Sequence, residues 1–510
     1  MPSSSECWRQ VHRTPNTAMK PSPLYASLAA GVALSALAVA GCSDLLEPKV
    51  YDDLTPETFF SSEADFRTAV VALYNAFGTD WGTTDQGAGT WYTSLYNADP
   101  KSYWARSEIT TDELFTGWSP TFTNYTWGPA TFTGAQASDY SKIRYVARAT
   151  DVIDKITNAQ ANVPPAVKEL YIAEAKALRG WLMFVLYDFF GPVNAKLDPE
   201  TLGSTEITAR PSAAEYIAAM ERDLTEAIPA LPNGYNADAA NWGRVGAGTA
   251  RMVLLRLYMQ EKNWAGAEAV AREVTQMGYS LMPNYADVCN TPRNNELIYA
   301  VPSDASSPNW YFQEIFPSDF RSAGDIVRGP GWYGYWMPWP FYDRYDPADE
   351  RLTTIIASYT TTQGGSKDRN SGMPGAIPVK CTTNLGTSSG SDADWPVFRY
   401  AETLLSLAEA INEQRGPGEA YAYVNEVRER SGLGPWSGLT QEALRDSLLV
   451  ERGRELYSEG VRRQDLIRHG QLISRAQARG AQAEAHEVMF PIPLYVIQQS
   501  DGVVEQNPGY

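Results

Sequence analysis

Residues 243–281 read GRVGAGTARMVLLRLYMQEKNWAGAEAVAREVTQMGYSL. Apolar residues recur at helical spacing over 249–260 and again over 264–277, and only Glu261, Lys262 and Asn263 separate the two runs. A gap that short forces two antiparallel helices side by side. The second run carries Ala267, Ala269 and Val270, small enough to let its partner approach closely. A second such pair is predicted at 398–413 and 419–430, joined by 414–418.

The flanking sequence adds more helices of the same kind. Ser61 or Ser62 caps a predicted helix with Phe66, Ala69, Val70, Leu73 and Phe77 on one face, ending at Gly78. Residues 138–158 carry Ile143, Val146, Ala149, Val152, Ile153 and Ile156 as a stripe. After Pro164-Pro165 a long run to about Phe190 has so wide an apolar face that its helix belongs at the centre of the fold, and Gly191-Pro192 stops it. Residues 212–229 form one more. The expected fold is mainly α, a right-handed scaffold of tetratricopeptide-like helical hairpins packed side by side. No clean 34-residue period is present, so the likeness is architectural.

Two stretches break the helical pattern. Residues 79–134 read as loops with short strands or turns, and they hold Trp81, Trp91 and Trp104 among Gly, Thr, Ser, Asn and Asp. Residues 278–394 begin with a short buried strand at 296–301 and continue into the densest aromatic segment, with Trp310, Tyr311, Trp332, Tyr333 and Trp336. Within it GPGWYGYWMPWP (329–340) mixes Gly and Pro with bulky rings and excludes a regular helix, while 360–394 reads as a long loop. Aromatics make up 12% of the chain, more rings than a core needs. Rings on polar loops either roof the core, which is the commoner use, or present a stacking surface to a ligand.

Residues 440–510 begin TQEALRDSLLVERGRELYSEGVRRQDLIRHG. Thr440 is an expected N-cap and Gly460 an expected stop. Glu451, Arg452, Arg454, Glu455, Glu459, Arg462, Arg463, Asp465 and Arg468 crowd into eighteen residues. Carboxylates alternating with arginines stay ionised, which suits a partly buried Arg/Glu network better than a catalytic acid pair. Glu451 with Arg454, and Arg452 with Glu455, are the expected i,i+3 partners.

At the other end, 24–40 (LYASLAAGVALSALAVA) is an apolar run too short and alanine-rich for a comfortable membrane span, and Gly41-Cys42 follows it. Lys20 precedes the run, and Met19 is the better start. Residues 1–41 are expected to be a lipoprotein signal peptide, Cys42 the acylated residue, and 42–56 a tether to a domain over 57–510, with aromatic-rich insertions at about 79–134 and 281–394. Only Cys289 and Cys381 then remain as thiols, and spacing leaves their pairing open. With His469 and His486 the only histidines past the signal, zinc and Ser/His chemistry are poorly supplied. The formal net charge of −18 argues against nucleic acid and anionic headgroups as partners.

Taken in order, the chain resembles the SusD/RagB family of nutrient-uptake surface lipoproteins. The resemblance rests on Cys42 with Leu46-Glu47-Pro48, TFFSSEAD (58–65), AEAKALRG (173–180) with Gly191-Pro192-Val193, and the 243–281 stretch. Further along come YDPADER (345–351), RYAE (399–402) with AEA (408–410), ERGRELYSEGVRRQDLIRHG (451–470), FPIP (490–493) and the terminal QNPGY. His469 stands where the family often has Trp.

The resemblance implies a tetratricopeptide-like α fold and a lipid anchor at Cys42 in the outer membrane, facing outward. It implies docking on a SusC-like TonB-dependent β-barrel transporter, with the lipoprotein as a ligand-binding lid. Family members bind glycans, and some bind peptides. The expected function is therefore non-catalytic glycan binding and delivery for uptake, with no cofactor. A peptide ligand on the same architecture is the alternative, and a surface glycoside hydrolase with a carboxylate pair a third. The family motifs carry over no ligand-contacting residues. From composition alone the candidates are Trp81, Trp91, Trp104, Trp310, Tyr311, Trp332, Tyr333 and Trp336, rings that would lie against the C–H faces of a sugar.

Overall fold

The computed structural model describes residues 59–79, 94–304, 306–327, 329–332, 334–381 and 390–510, and the backbone alone of 83–84 and 91–92. The chain divides into Met1–Thr58 and a compact unit, Phe59–Tyr510, and only the second falls among the described residues. The Cys42 expectation lies outside them.

The unit begins with α1 (Glu63–Val71), held by a capping box. Ser62 is the cap, its Oγ accepting from the Asp65 N–H at 3.3 Å while the Asp65 carboxylate accepts from the Ser62 N–H at 2.8 Å. A buried helix, α2 (Tyr103–Ile109), follows. Then α3 (Ile143–Asn158) and α4 (Pro165–Phe190) pack together, and α4 also meets α1, α5 (Ala213–Ala227) and α6 (Ala247–Gln260). The 26 residues of α4 span about 39 Å at 1.5 Å per residue. Leu178, Trp181, Leu182, Phe184, Val185 and Phe189 are all buried, so this helix is the axis the sequence pattern requires.

The hairpin read from 243–281 is present as α6 and α7 (Trp264–Thr275). Lys262 takes φ 55° to turn the chain, and Asn263 caps α7 by accepting from the Gly266 N–H at 3.1 Å. The second hairpin is α9 (Tyr400–Arg415) and α10 (Pro417–Arg430); α8 is the short helix Tyr311–Ile315 in the insertion. Helix α9 packs on α7, α10 and α11 (Gln441–Leu456), continuing the row of hairpins. The chain ends with α12 (Arg462–Arg468), α13 (Leu472–Ala478) and α14 (Leu494–Gln499). Thr440 caps α11 as expected, accepting from the Ala443 N–H at 3.1 Å.

The insertions are more regular than their composition predicts. Helix α2 lies where the sequence pattern predicts loop: Tyr103 to Ile109 are all buried, and a helix covered on every side shows no amphipathic period. Strand β1 (Phe115–Thr116) joins β3 (Tyr335–Pro338), β5 (Gly375–Pro378) and β4 (Ile355–Ile356) in one antiparallel sheet, in that spatial order. The strand expected at 296–301 is β2 (Leu297–Val301), paired antiparallel with β6 (Trp395–Arg399) and buried on both faces. A second four-stranded sheet runs through 320–323, 326–327, 358–361 and 366–368. Thus 360–394 is not one long loop, since it holds β5 and the strand at 366–368. Cys289 and Cys381 form a disulfide across 92 residues, tying the insertion's two ends.

Where the insertion meets the hairpins the joint is ionic. Arg399, fully buried on β6, donates to Glu455 at 3.0 Å, to Glu459 at 2.7 Å and to Glu296. Arg351 bridges Asp349 at 2.8 Å, Glu451 at 2.7 Å and Glu455 at 3.1 Å. Burial pushes the Glu455 carboxyl up, but Arg430, Arg399, Arg351 and Lys380 outweigh it and bring it down to about 2. The Lys380 ammonium is lowered to about 8 by burial, against the pull of Glu459. Of the two expected helical pairs, Glu451–Arg454 is present at 3.5 Å. Arg452 instead turns to Asp465 at 2.8 Å, so the charges link helices rather than staple one.

Candidate functional site

Of the eight candidate rings, three roof nothing: they are core. Trp104 on α2 is fully buried, donates its indole N–H to the Ser458 carbonyl at 3.0 Å, and meets Tyr311, Tyr335 and Trp395 ring to ring. Tyr311 is buried and donates to the Pro378 carbonyl at 3.2 Å. Trp336 is 8% exposed, on β3 opposite Phe115. Their placement corrects the expectation of ligand contact for these three. They seal the seam between the insertion and the C-terminal helices, a task that needs large rings with a polar end. Trp81 and Tyr333 lie outside the described residues, as does the Trp91 side chain; the Trp91 backbone pairs with Thr84.

Trp310 and Trp332 are different. Both are half-buried, and they stack on each other with centroids 5.8 Å apart and planes 16° apart, in the range of an offset aromatic pair. Trp310 sits just before α8, and Trp332 lies on the loop that leads into β3. Backbone bonds lock that loop to α8. The Trp332 N–H donates to the Gln313 carbonyl at 2.7 Å, the Gly334 N–H to the Glu314 carbonyl at 3.1 Å, and the Gly331 N–H to the Pro317 carbonyl at 3.1 Å.

The glycines of GPGWYGYW make this possible. A Cβ on Gly331 would lie 1.9 Å from the Phe316 carbonyl oxygen, so no other residue lets the loop close so tightly. Gly334 takes φ 89°, which turns the chain from the loop into β3. Two indoles 22 positions apart are thus held as one apolar slab on rigid backbone, ordered before any ligand arrives.

One turn along α8 from Trp310, Glu314 is 1% exposed, and neither carboxyl oxygen has a hydrogen-bond partner among the described residues. Burial, then the nearby Asp99 carboxylate, push it up to about 9, against Lys101. Lys101 is held by Asp99 at 2.8 Å. At neutral pH Glu314 is therefore a carboxylic acid with a proton to donate. Sequence reasoning missed it, because nothing in YFQEI distinguishes this Glu from a solvated one.

A more apolar hollow lies elsewhere. A cavity of about 640 Å³ is lined by Tyr140, Ile143, Ala147, Ile207, Tyr495 and Val496 among others, and it includes none of the eight candidate rings. Arg144, Asn194, Lys196 and Gln499 also line it. Among the described residues no group of three or more His, Cys, Asp or Glu is placed to hold a metal, and no helix is long and apolar enough to cross a membrane.

Comparison with known proteins agrees with this architecture. The SusD family model matches residues 353–510. SusD-like protein P25 of Formosa agariphila is 26% identical, with the alignment covering 92% of this chain and 96% of that protein. The starch-binding protein SusD of Bacteroides thetaiotaomicron is 22% identical over 84% of this chain and 87% of its own. Among solved structures, surface glycan-binding protein A of Bacteroides thetaiotaomicron in complex with laminarihexaose superposes with a TM-score of 0.69 at 23% identity, covering 87% of this chain and 99% of that one. The SusD family match lies on the ionic joint and the C-terminal helices, the alignments with SusD-like proteins run through most of the chain, and the fold is that of the solved SusD-like structures.

Proposed function

We propose that this protein binds glycans without cleaving them and hands them to a TonB-dependent outer-membrane transporter. The observation that carries the reading is the Trp310–Trp332 slab. Most other rings of the insertion are spent on the core, yet these two are held half-exposed, parallel and preordered. A sugar ring presents a C–H face to such a slab and hydroxyls to its rim, so a polymer can lie across it undistorted. A relative named for binding starch and a structural neighbour bound to laminarihexaose support the ligand class.

The mechanism needs only binding. The indoles take the apolar face of the sugar, and the α8 backbone fixes their spacing. The remaining proposal concerns place: residues 1–41 direct export, acylated Cys42 holds the protein on the outer face of the outer membrane, and the domain over 57–510 acts as the lid of a SusC-like transporter. Two experiments test this. A glycan array read with the full-length protein in detergent, repeated with Trp310→Ala and Trp332→Ala, should show saturable binding that the substitutions weaken. Cys42→Ala should release the protein from membranes and abolish recovery of a β-barrel partner in pull-downs. Retention of Cys42→Ala on membranes would refute the anchor.

A further inference from the structure

Asp112, three residues past α2, is met by three guanidiniums. Arg462 donates Nε to Oδ1 at 2.9 Å and Nη2 to Oδ2 at 3.2 Å. Arg344 donates Nη1 to Oδ2 at 2.8 Å, and Arg475 donates Nη1 to the same oxygen. Burial pushes Asp112 up, but Arg462, Arg344 and Arg475 outweigh it and hold it far below the usual carboxylate range, so it is ionised. One negative charge faces three positive ones.

A fourth guanidinium is close. Arg479, one turn after Arg475, is pushed down by burial, and Tyr125 and Asp112 oppose that. Its Nε is buried without a hydrogen-bond partner among the described residues, and its contact to the Ile109 carbonyl is long at 3.5 Å. The neighbouring acids do not make up the deficit. Asp343 is taken by Arg369 at 2.8 Å, Glu451 by Arg351 and Arg428, and burial raises Glu113 to about 7.

The contrast with the ionic joint decides the reading. There, Arg351 and Arg399 each meet three carboxylates and are inaccessible. Here Arg462 uses its remaining Nη1 on the Leu449 carbonyl and Arg475 its Nε on the Gln471 side chain at 2.8 Å, but the Arg344 and Arg475 side chains stay 28% and 21% exposed. In a chain of net charge −18, which opposes polyanions at large, this is a local excess of forked cationic donors.

We propose that Arg344, Arg475 and Arg479 form an oxyanion site for a carboxylate or sulfate carried on the sugar chain, so that the glycan taken up is an acidic one. The forked N–H pairs of guanidinium match both anions. The proposal rests on the glycan reading above, and its test separates the two. Full-length protein in detergent is titrated calorimetrically, at low salt, with an oligogalacturonate, a sulfated galactan oligosaccharide, the unsulfated galactan oligosaccharide and inorganic sulfate.

The expected result is at least tenfold tighter binding of one acidic oligosaccharide than of the neutral one, a preference that shrinks with added sodium chloride. Arg344→Gln and Arg475→Gln should each remove most of that preference while leaving neutral-oligosaccharide binding unchanged. Whichever acidic arm shows the gain identifies carboxylate or sulfate. Should a glutamine variant fail to fold by circular dichroism, Arg475→Lys keeps the charge without the fork and should lose a smaller part of the preference. Equal affinity for acidic and neutral oligosaccharides, or acidic binding untouched by the arginine variants, overturns the proposal and leaves the tryptophan slab standing. Arginine-dependent binding of inorganic sulfate with no glycan bound supports the anion site and overturns the glycan reading.

Discussion

Glu108 and Glu113 face each other carboxyl to carboxyl in the core, and each also receives a backbone N–H of the turn after α11. The Gly460 N–H donates to Glu108 at 2.5 Å and the Ser458 N–H to Glu113 at 2.8 Å. The second oxygen of each carboxyl has no donor among the described residues, so the pair is completed by a shared proton. Burial and the facing Glu113 push Glu108 well above the carboxylate range, and burial raises Glu113 to about 7. This contact docks the first insertion onto the C-terminal stretch.

Folding stability should therefore fall as pH rises across this pair. In the unfolded chain both carboxyls ionise near pH 4.5, while in the folded pair Glu113 gives up its proton only near pH 7 and Glu108 is also held well above its ordinary range. The contribution is whole below pH 4.5 and is lost progressively upward through neutrality. Urea unfolding at pH 5, 6, 7 and 8 should show a declining midpoint. Glu108→Gln, which supplies an amide donor in place of the proton, should flatten that decline. A midpoint that rises over this range would contradict the shared proton.

Breaking the ionic joint should be costly. Arg399→Ala leaves Glu296, Glu455 and Glu459 buried around a missing cation. Loss of one partner from a buried ion pair costs about 3–5 kcal/mol, and that loss should appear in denaturant unfolding with little change in glycan affinity measured without denaturant, where the variant is folded. A change below about 1 kcal/mol would mean the network is solvated in solution.

Removing the disulfide should loosen the insertion. Cys289–Cys381 closes a loop of 92 residues, for which chain entropy gives a contribution of about 4–5 kcal/mol. Replacing both cysteines by serine, or reducing the protein, should lower the unfolding midpoint measurably. An unchanged midpoint would contradict a bond in the mature protein.

Trp104 and Trp310 should behave as opposites although both were singled out for the same property. Trp104→Ala empties a fully buried site and should cost about 3–5 kcal/mol of stability. Trp310→Ala should leave stability nearly unchanged and weaken glycan binding about three- to tenfold, the worth of one aromatic contact of about 0.5–1.5 kcal/mol. Thermal melts beside binding titrations of the two variants check this directly.

The scaffold was legible because its helices are amphipathic. The periods at 143–156, 170–189 and 249–277 survive as α3, α4, α6 and α7, and turn chemistry at Asn263 and capping at Ser62 and Thr440 fixed their ends. Helix α2 was illegible because it is buried all round, and the short strands of the insertions other than β2 because so few residues carry too little pattern. The crowded charges of 451–468 are structural, and all but Arg454 are buried; yet Arg452 pairs across to Asp465, which i,i+3 spacing does not reveal. The candidate rings show the limit most plainly. Trp104, Tyr311 and Trp336 carry the same composition signal as Trp310 and Trp332, and only tertiary contacts separate core from slab.

The most direct test of the central claim is calorimetric titration of a panel of purified oligosaccharides into wild-type protein and into the double variant Trp310→Ala/Trp332→Ala, with reducing ends assayed in the same cell. Saturable binding of at least one oligosaccharide by the wild type, no new reducing ends, and loss of that binding in a folded double variant is the predicted result. Binding that survives the double substitution, or the release of new reducing ends, would contradict it.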